Sequence, residues 1–204
     1  MNKLLKILTE VALIIPLFCV TVLAMDVEYV GSISDGLFAP TSIDVSDDQL
    51  AVLEPFSRQI TTYTIEGVLR QKINIEGDAS GLARLSEYEY LFCDRYAGKI
   101  VSVNMLTGSQ MNFLEGGDIH KPVDLINKNA RIYILDAGSG EILISGLTGA
   151  IEIRLALVKP NGDRIGFASS FAYDRDREVF YVLDQVTSII WIIGADGQFL
   201  GDFC

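Results

Sequence analysis

One pattern recurs four times along the 204 residues: an apolar run, an acid, an isoleucine six places on, and a glycine turn just beyond it. The copies are LAVLEPFSRQITTYTIEG, LFCDRYAGKIVSVNMLTG, YILDAGSGEILISGLTG and YVLDQVTSIIWIIGADG. Their acids are Glu54, Asp94, Asp136 and Asp184, followed by Ile60, Ile100, Ile142 and Ile190, and then by Gly67, Gly108, Gly149 and Gly197. Successive acids lie 40, 42 and 48 residues apart. A self-similar period of this size marks units that cannot bury their own faces and have to stack on one another. Units built from short apolar and alternating runs predict an all-β propeller of four-stranded antiparallel blades, four of them visible.

Within the first unit, Thr41–Val45 reads as the innermost strand and Asp47-Asp48 as its turn. Gln49–Leu53 is almost wholly apolar, as a strand covered on both faces is. Glu54–Gln59 is a polar loop, Ile60–Ile65 the third strand, and Glu66-Gly67 the next turn. Val68–Ile75 alternates apolar with polar residues, as a solvent-facing outer strand does. Pro40, Ser80, Pro122 and Ser170 stand fourteen residues before the acids, where each inner strand is expected to begin. The units run over about 34–75, 76–116, 117–158 and 159–204. The longest interval holds the turn-rich stretch Lys159-Pro160-Asn161-Gly162-Asp163. No helix-period segment or linker interrupts residues 25–204, so they read as one domain.

The motif Pro-x-x-Ile-Asp-Val at 40–45, followed by an apolar run, an acid, a polar loop, an isoleucine and a turn glycine, resembles the NHL repeat of six-bladed β-propellers. The resemblance covers nearly all of 27–203. Loops of that family commonly read Asp-x-x-Asn-x-Arg-Ile. Here the Asn place holds Ser57, Ala97, Ser139 and Thr187, and the Arg place holds Gln59, Lys99, Glu141 and Ile189. The stretch Tyr29-Val30-Gly31-Ser32-Ile33 reads like the outer strand Phe199-Leu200-Gly201-Asp202-Phe203. The resemblance implies a longer, six-bladed array of which about two blades lie outside this sequence; a four-bladed ring is the rival.

Residues 1–24 carry the marks of a secretory signal: Lys3 and Lys6, an apolar run from Val11 to Ala24, and small residues at Val22 and Ala24 before Met25. An uncleaved anchor is the alternative, and the only membrane association expected. The chain is therefore expected to be exported, to the periplasm or beyond. Without residues 1–24, which hold Lys3, Lys6 and Glu10, the net charge moves from −11 to −12. Such an acidic surface repels phosphate backbones, so no nucleic-acid partner is expected. Cys19 falls in the signal, Cys93 inside an apolar strand, and Cys204 at the last position, which is no disulfide framework.

The four acids invite two readings. Calcium is coordinated by six to eight oxygens within about 2.6 Å, whereas residues at the same strand end of successive blades are spread around a ring. Glu54, Asp94, Asp136 and Asp184 are therefore read as structural, each accepting backbone N–H groups in its own loop. No cofactor is expected, with calcium the one metal to consider. His120 has no second histidine or nearby cysteine with which to begin a zinc site, and is a candidate ligand contact in a loop. Phe56 and Arg58 follow Glu54, and Arg95 and Tyr96 follow Asp94. Aromatics with arginine in matching loops are the residue types enriched at binding surfaces. Inner-strand Asp44, Asp124 and Asp174 are the channel carboxylates that a lactonase-type propeller would need, though their offsets from the acids differ. Trp191, among isoleucines, is read as core. The leading expectation is an exported, non-enzymatic binding scaffold for a protein or small ligand. The rivals are a metal-dependent hydrolase and an incomplete fragment of a longer propeller.

Overall fold

Each run of short strands folds back on itself, and each forms its own sheet. The structure, a computed structural model, describes residues 31–33, 36–46, 48–117 and 119–203. The signal segment, Tyr29 and Val30 of the Tyr29–Ile33 stretch, Asp47, Asp118 and Cys204 lie outside them. Residues from Ile33 onward form one compact unit.

The first sheet is β1 (Ser42–Val45), β2 (Gln49–Glu54), β3 (Gln59–Thr64) and β4 (Leu69–Asn74), and the second β5 (Ala79–Arg84), β6 (Glu89–Asp94), β7 (Lys99–Asn104) and β8 (Gln110–Leu114). The third is β9 (Pro122–Lys128), β10 (Arg131–Asp136), β11 (Glu141–Gly146) and β12 (Ile151–Ala156), and the fourth β13 (Ala168–Asp174), β14 (Val179–Asp184), β15 (Ile189–Gly194) and β16 (Phe199–Phe203). All four are antiparallel meanders in sequence order, which is the blade of a propeller. The strands agree with the sequence reading to within a residue or two, and they include the outer strand Phe199–Phe203.

Blade packing follows from the period of two along a strand. The residue before each acid and the isoleucine six after it point to the next blade; the residue two before the acid points to the previous one. Leu53 and Ile60 of blade one thus meet Tyr90 and Phe92 of blade two in one apolar cluster. Cys93 and Ile100 meet Ile132 and Ile134, and Leu135 and Ile142 meet Phe180, Val182 and Trp191. Cys93 is a buried free thiol and Trp191 a core residue, as read from the sequence. In the fourth blade the same outward pair is Leu183 and Ile190, which are 40% and 38% exposed where their six counterparts are at 0%. Among the described residues, this face carries no blade.

The hairpin between second and third strands has one geometry in every copy. The residue four after the acid has positive φ: Arg58 (53°), Gly98 (62°), Gly140 (66°) and Ser188 (58°). A four-residue loop that closes on a left-handed residue matches the twist of the flanking strands. Two blades use glycine there, and two hold side chains in a conformation that costs them energy.

Candidate functional site

The repeated acids are buried, and in blades one to three each ties two loops together. Asp136 accepts from His120 N (3.0 Å), Lys121 N (2.7 Å), Gly138 N (3.1 Å) and Ser139 Oγ (3.0 Å). Glu54 accepts from Phe38 N and Thr61 Oγ1, and Asp94 from Asp78 N and Ala97 N. Each of these three acids therefore clamps the segment leading into its inner strand, in addition to its own blade's hairpin residues. Asp184 accepts from Val186 N and Thr187 N, and among the described residues its Oδ2 is buried without a hydrogen-bond partner. Burial pushes the Asp184 carboxyl up, but the hydrogen bonds of Thr187 and Val186 outweigh it and hold it below the usual range.

These clamps place the second-strand loops at one end of the blades. Phe56 and Tyr96, 79% and 93% exposed, flank a shallow cleft of about 470 Å³ that Arg58, Asp78 and Asp94 also line. Phe38 lies against the Phe56 ring, centroids 5.4 Å apart. The Arg58 guanidinium makes no hydrogen bond or ion pair among the described residues. Arg95 departs from this group. Its Nη2 pairs with Asp78 at 2.7 Å, and the residue lines a second cavity, closer to the axis. His120 is exposed, with Nδ1 3.5 Å from Asp136 Oδ2. Its carbonyl lies where a side chain at Gly98 would stand, only 2.9 Å from the place of a Cβ. It thus belongs to the seam between blades two and three, apart from the Phe56–Tyr96 cleft.

The second cavity, of about 520 Å³, opens where the inner strands begin. The pairing register puts Ser42, Ser80, Asp124 and Ser170 at one level, opposite Leu53, Cys93, Leu135 and Leu183, and all four line this cavity. Ser42 and Asp124 stand twelve residues before their acids and Ser80 and Ser170 fourteen, because the connection from first to second strand differs in length between blades and β5 adds a bulge, which hid the ring from sequence comparison. A further space of about 530 Å³ continues along the inner strands past Asp44, Arg84 and Asn127.

The channel carboxylates do not converge. Asp44 pairs opposite Ala51, Asp124 opposite Leu135 and Asp174 opposite Val179, at three different levels. Asp44 Oδ2 accepts from Arg84 N (2.5 Å) of the next blade. Asp124 Oδ2 accepts from Ser170 Oγ (2.6 Å) and Phe171 N (3.2 Å), and Oδ1 from Leu125 N (2.9 Å). Asn127 donates to Arg84 O across the second seam (2.7 Å). Asp174 binds Asp176 N and Arg177 N in its own turn. Burial raises the carboxyls of Asp44 and Asp124, against the pull of these bonds. Among the described residues, no three His, Cys, Asp or Glu side chains are grouped as metal ligands would be.

No protein family and no curated protein matches the sequence. Solved structures do match in fold. Virginiamycin B lyase from Staphylococcus aureus, in its catalytically inactive H270A form with quinupristin, aligns with a TM-score of 0.60 at 12% identity, over 80% of this chain and 55% of that one. A streptogramin B lyase gives 0.61 at 13%, over 81% and 54%. Kuenenia stuttgartiensis hydrazine synthase gives 0.59 at 14%, over 87% and 52%. The chain thus spans about half the length of these neighbours. At such identities the likeness is one of fold.

Proposed function

We propose that the chain is an exported, non-enzymatic propeller scaffold of NHL-like blades whose second-strand loops dock another protein. The observation that carries this reading is the pairing of Phe56 and Tyr96, exposed at matching loops of adjacent blades on either side of one cleft. Two exposed rings beside an arginine supply the residue types that carry binding energy at protein interfaces. Arg58 adds a second point. It holds a left-handed backbone where two other blades use glycine, and its charge has no partner among the described residues. Strained residues of this kind gather at working surfaces. The NHL-like reading rests on the 40–45 motif and on the acid, isoleucine and glycine set.

A catalytic reading has less support. The carboxylates it needs, Asp44 and Asp124, are engaged by donors of neighbouring strands, and Asp174 by its own turn. The lyase activity in the neighbours' names belongs to those proteins.

The test is cross-linked affinity capture from the native host, comparing wild type with a variant in which Phe56, Arg58 and Tyr96 are all alanine. Loss of a stoichiometric partner from the folded variant is expected. Unchanged recovery rules this surface out.

A further inference from the structure

The outward face of blade four is an apolar surface of the kind that blades one to three bury in their seams. The pairing register places Ser170, Leu183, Ile190 and Phe203 in one row across the sheet and Ala172, Tyr181, Ile192 and Gly201 in the next. All eight point away from blade three, which is met instead by Phe171, Phe180, Val182, Trp191 and Ile193. At the matching places blade three has Tyr133, Leu135, Ile142, Ile144 and Leu155, all buried against blade four. In blade four Leu183, Ile190 and Phe203 are exposed, and the Phe203 ring stacks on Tyr181 with centroids 6.4 Å apart. A contiguous exposed apolar face marks an interaction surface.

Charge and packing narrow the occupant. None of the eight residues is charged, in a chain of net charge −11. Two copies of this face can therefore meet without setting like charges opposite one another, and the face offers a charged partner nothing to pair with. Blade one does not present a whole face to match it. On the side away from blade two, Val52, Thr61 and Tyr63 are already buried, and Lys72 of the outer strand donates to Gly36 O (2.6 Å). Ile43 and Val45 of the inner strand stay exposed there. A head-to-tail contact thus lacks a complete receiving surface, while an isologous contact needs only one face, used twice. The blade-four face also holds both halves of the packing seen in two of the seams. Leu53 and Ile60 meet Tyr90 and Phe92, and Leu135 and Ile142 meet Phe180 and Trp191, aliphatic residues of one sheet against aromatic ones of the next. We propose that this face docks the same face of a second copy about a twofold axis, with Leu183, Ile190 and Ile192 of each copy lying against Tyr181 and Phe203 of the other. One blade face is small for a protein interface, so a dissociation constant of about 10–100 µM is expected, and at about 1 µM the chain is a monomer with Leu183 open to water.

The test is sedimentation velocity of the full chain over about 1–200 µM, where a monomer–dimer equilibrium is expected. Leu183→Glu and, as a second variant, Ile190→Lys put like charges opposite one another across the twofold. Each, checked as folded by circular dichroism, should weaken dimerisation about tenfold or more. Ile43→Glu charges the exposed inner strand of blade one and should leave the dimer unchanged. Phe56→Ala/Tyr96→Ala should also leave it unchanged, so this contact and the aromatic cleft fail or stand separately. A monomer at every concentration, with the face open or taken by another partner, would overturn the proposal. So would wild-type dimerisation by both folded face variants. Loss of the dimer in folded Ile43→Glu would point to a head-to-tail contact and overturn the twofold.

Discussion

Asp124 Oδ2 accepts a 2.6 Å hydrogen bond from Ser170 Oγ, across the seam between the third and fourth blades and over 46 residues of sequence. It is one of a set. Asp44 reaches Arg84 N across the first seam, and Asn127 reaches Arg84 O across the second. Polar inner-strand residues thus stitch each blade to the next beside the channel, where side chains converge and apolar packing thins out. Two of the three carboxylates that a sequence reader would assign to catalysis, Asp44 and Asp124, hold blades together, while Asp174 closes its own turn.

Removing the Asp124 stitch should cost stability. Asp124→Ala leaves Phe171 N and Ser170 Oγ without their acceptor, and a loss of about 2 kcal/mol is expected. Asp124→Asn keeps one oxygen and should lose less. Urea denaturation of the two variants at pH 7 checks the order.

The pH dependence of the same residue has a definite sign. Burial raises the Asp124 carboxyl above its ordinary 3.8, so the folded protein holds this proton more tightly than the unfolded chain does. Its contribution to stability is present below that ordinary value and is lost as pH rises through the raised one. Asp124→Asn removes this loss. Its melting temperature relative to wild type should therefore be more favourable at pH 7 than at pH 4, which scanning calorimetry at the two pH values would show.

Leu135 and Leu183 occupy the same place in blades three and four, one buried under the next blade and one 40% exposed. Leu135→Ala should cost about 2–5 kcal/mol, as truncation in a closed core does. Leu183→Ala should cost under about 1 kcal/mol, since less apolar area leaves water on folding at that site. Equal denaturation midpoints for the two variants would show that the Leu183 face is covered in solution.

The hairpin position four residues after each acid offers a stabilising change. Arg58→Gly and Ser188→Gly relieve a left-handed conformation and should each stabilise by about 1 kcal/mol. Gly98→Ala should do the reverse, since its Cβ would stand 2.9 Å from the His120 carbonyl oxygen. Thermal melts of the three variants give the order.

The blades themselves were written in the sequence. Acid, isoleucine and glycine recur as a unit because each blade repeats the same two hairpins, and the period-two alternation around Leu53, Cys93, Leu135 and Leu183 shows which residues face a neighbour. The matched loops holding Phe56 and Tyr96 were visible in the same alignment. Three things were not. Connections of different length between first and second strands, with one bulge in β5, moved Ser42, Ser80, Asp124 and Ser170 out of common offset, so their ring exists only in the pairing register. Arg95, adjacent to Tyr96 in sequence, lines the axial cavity because side chains on either side of a tight turn diverge. Ser80 and Arg95 of blade two line one cavity with Lys121 from the segment leading into blade three. Local spacing dictates hairpins, since a hairpin's contacts lie within a few residues. A cavity between blades depends on how far each sheet turns from the last, and only the tertiary structure decides that.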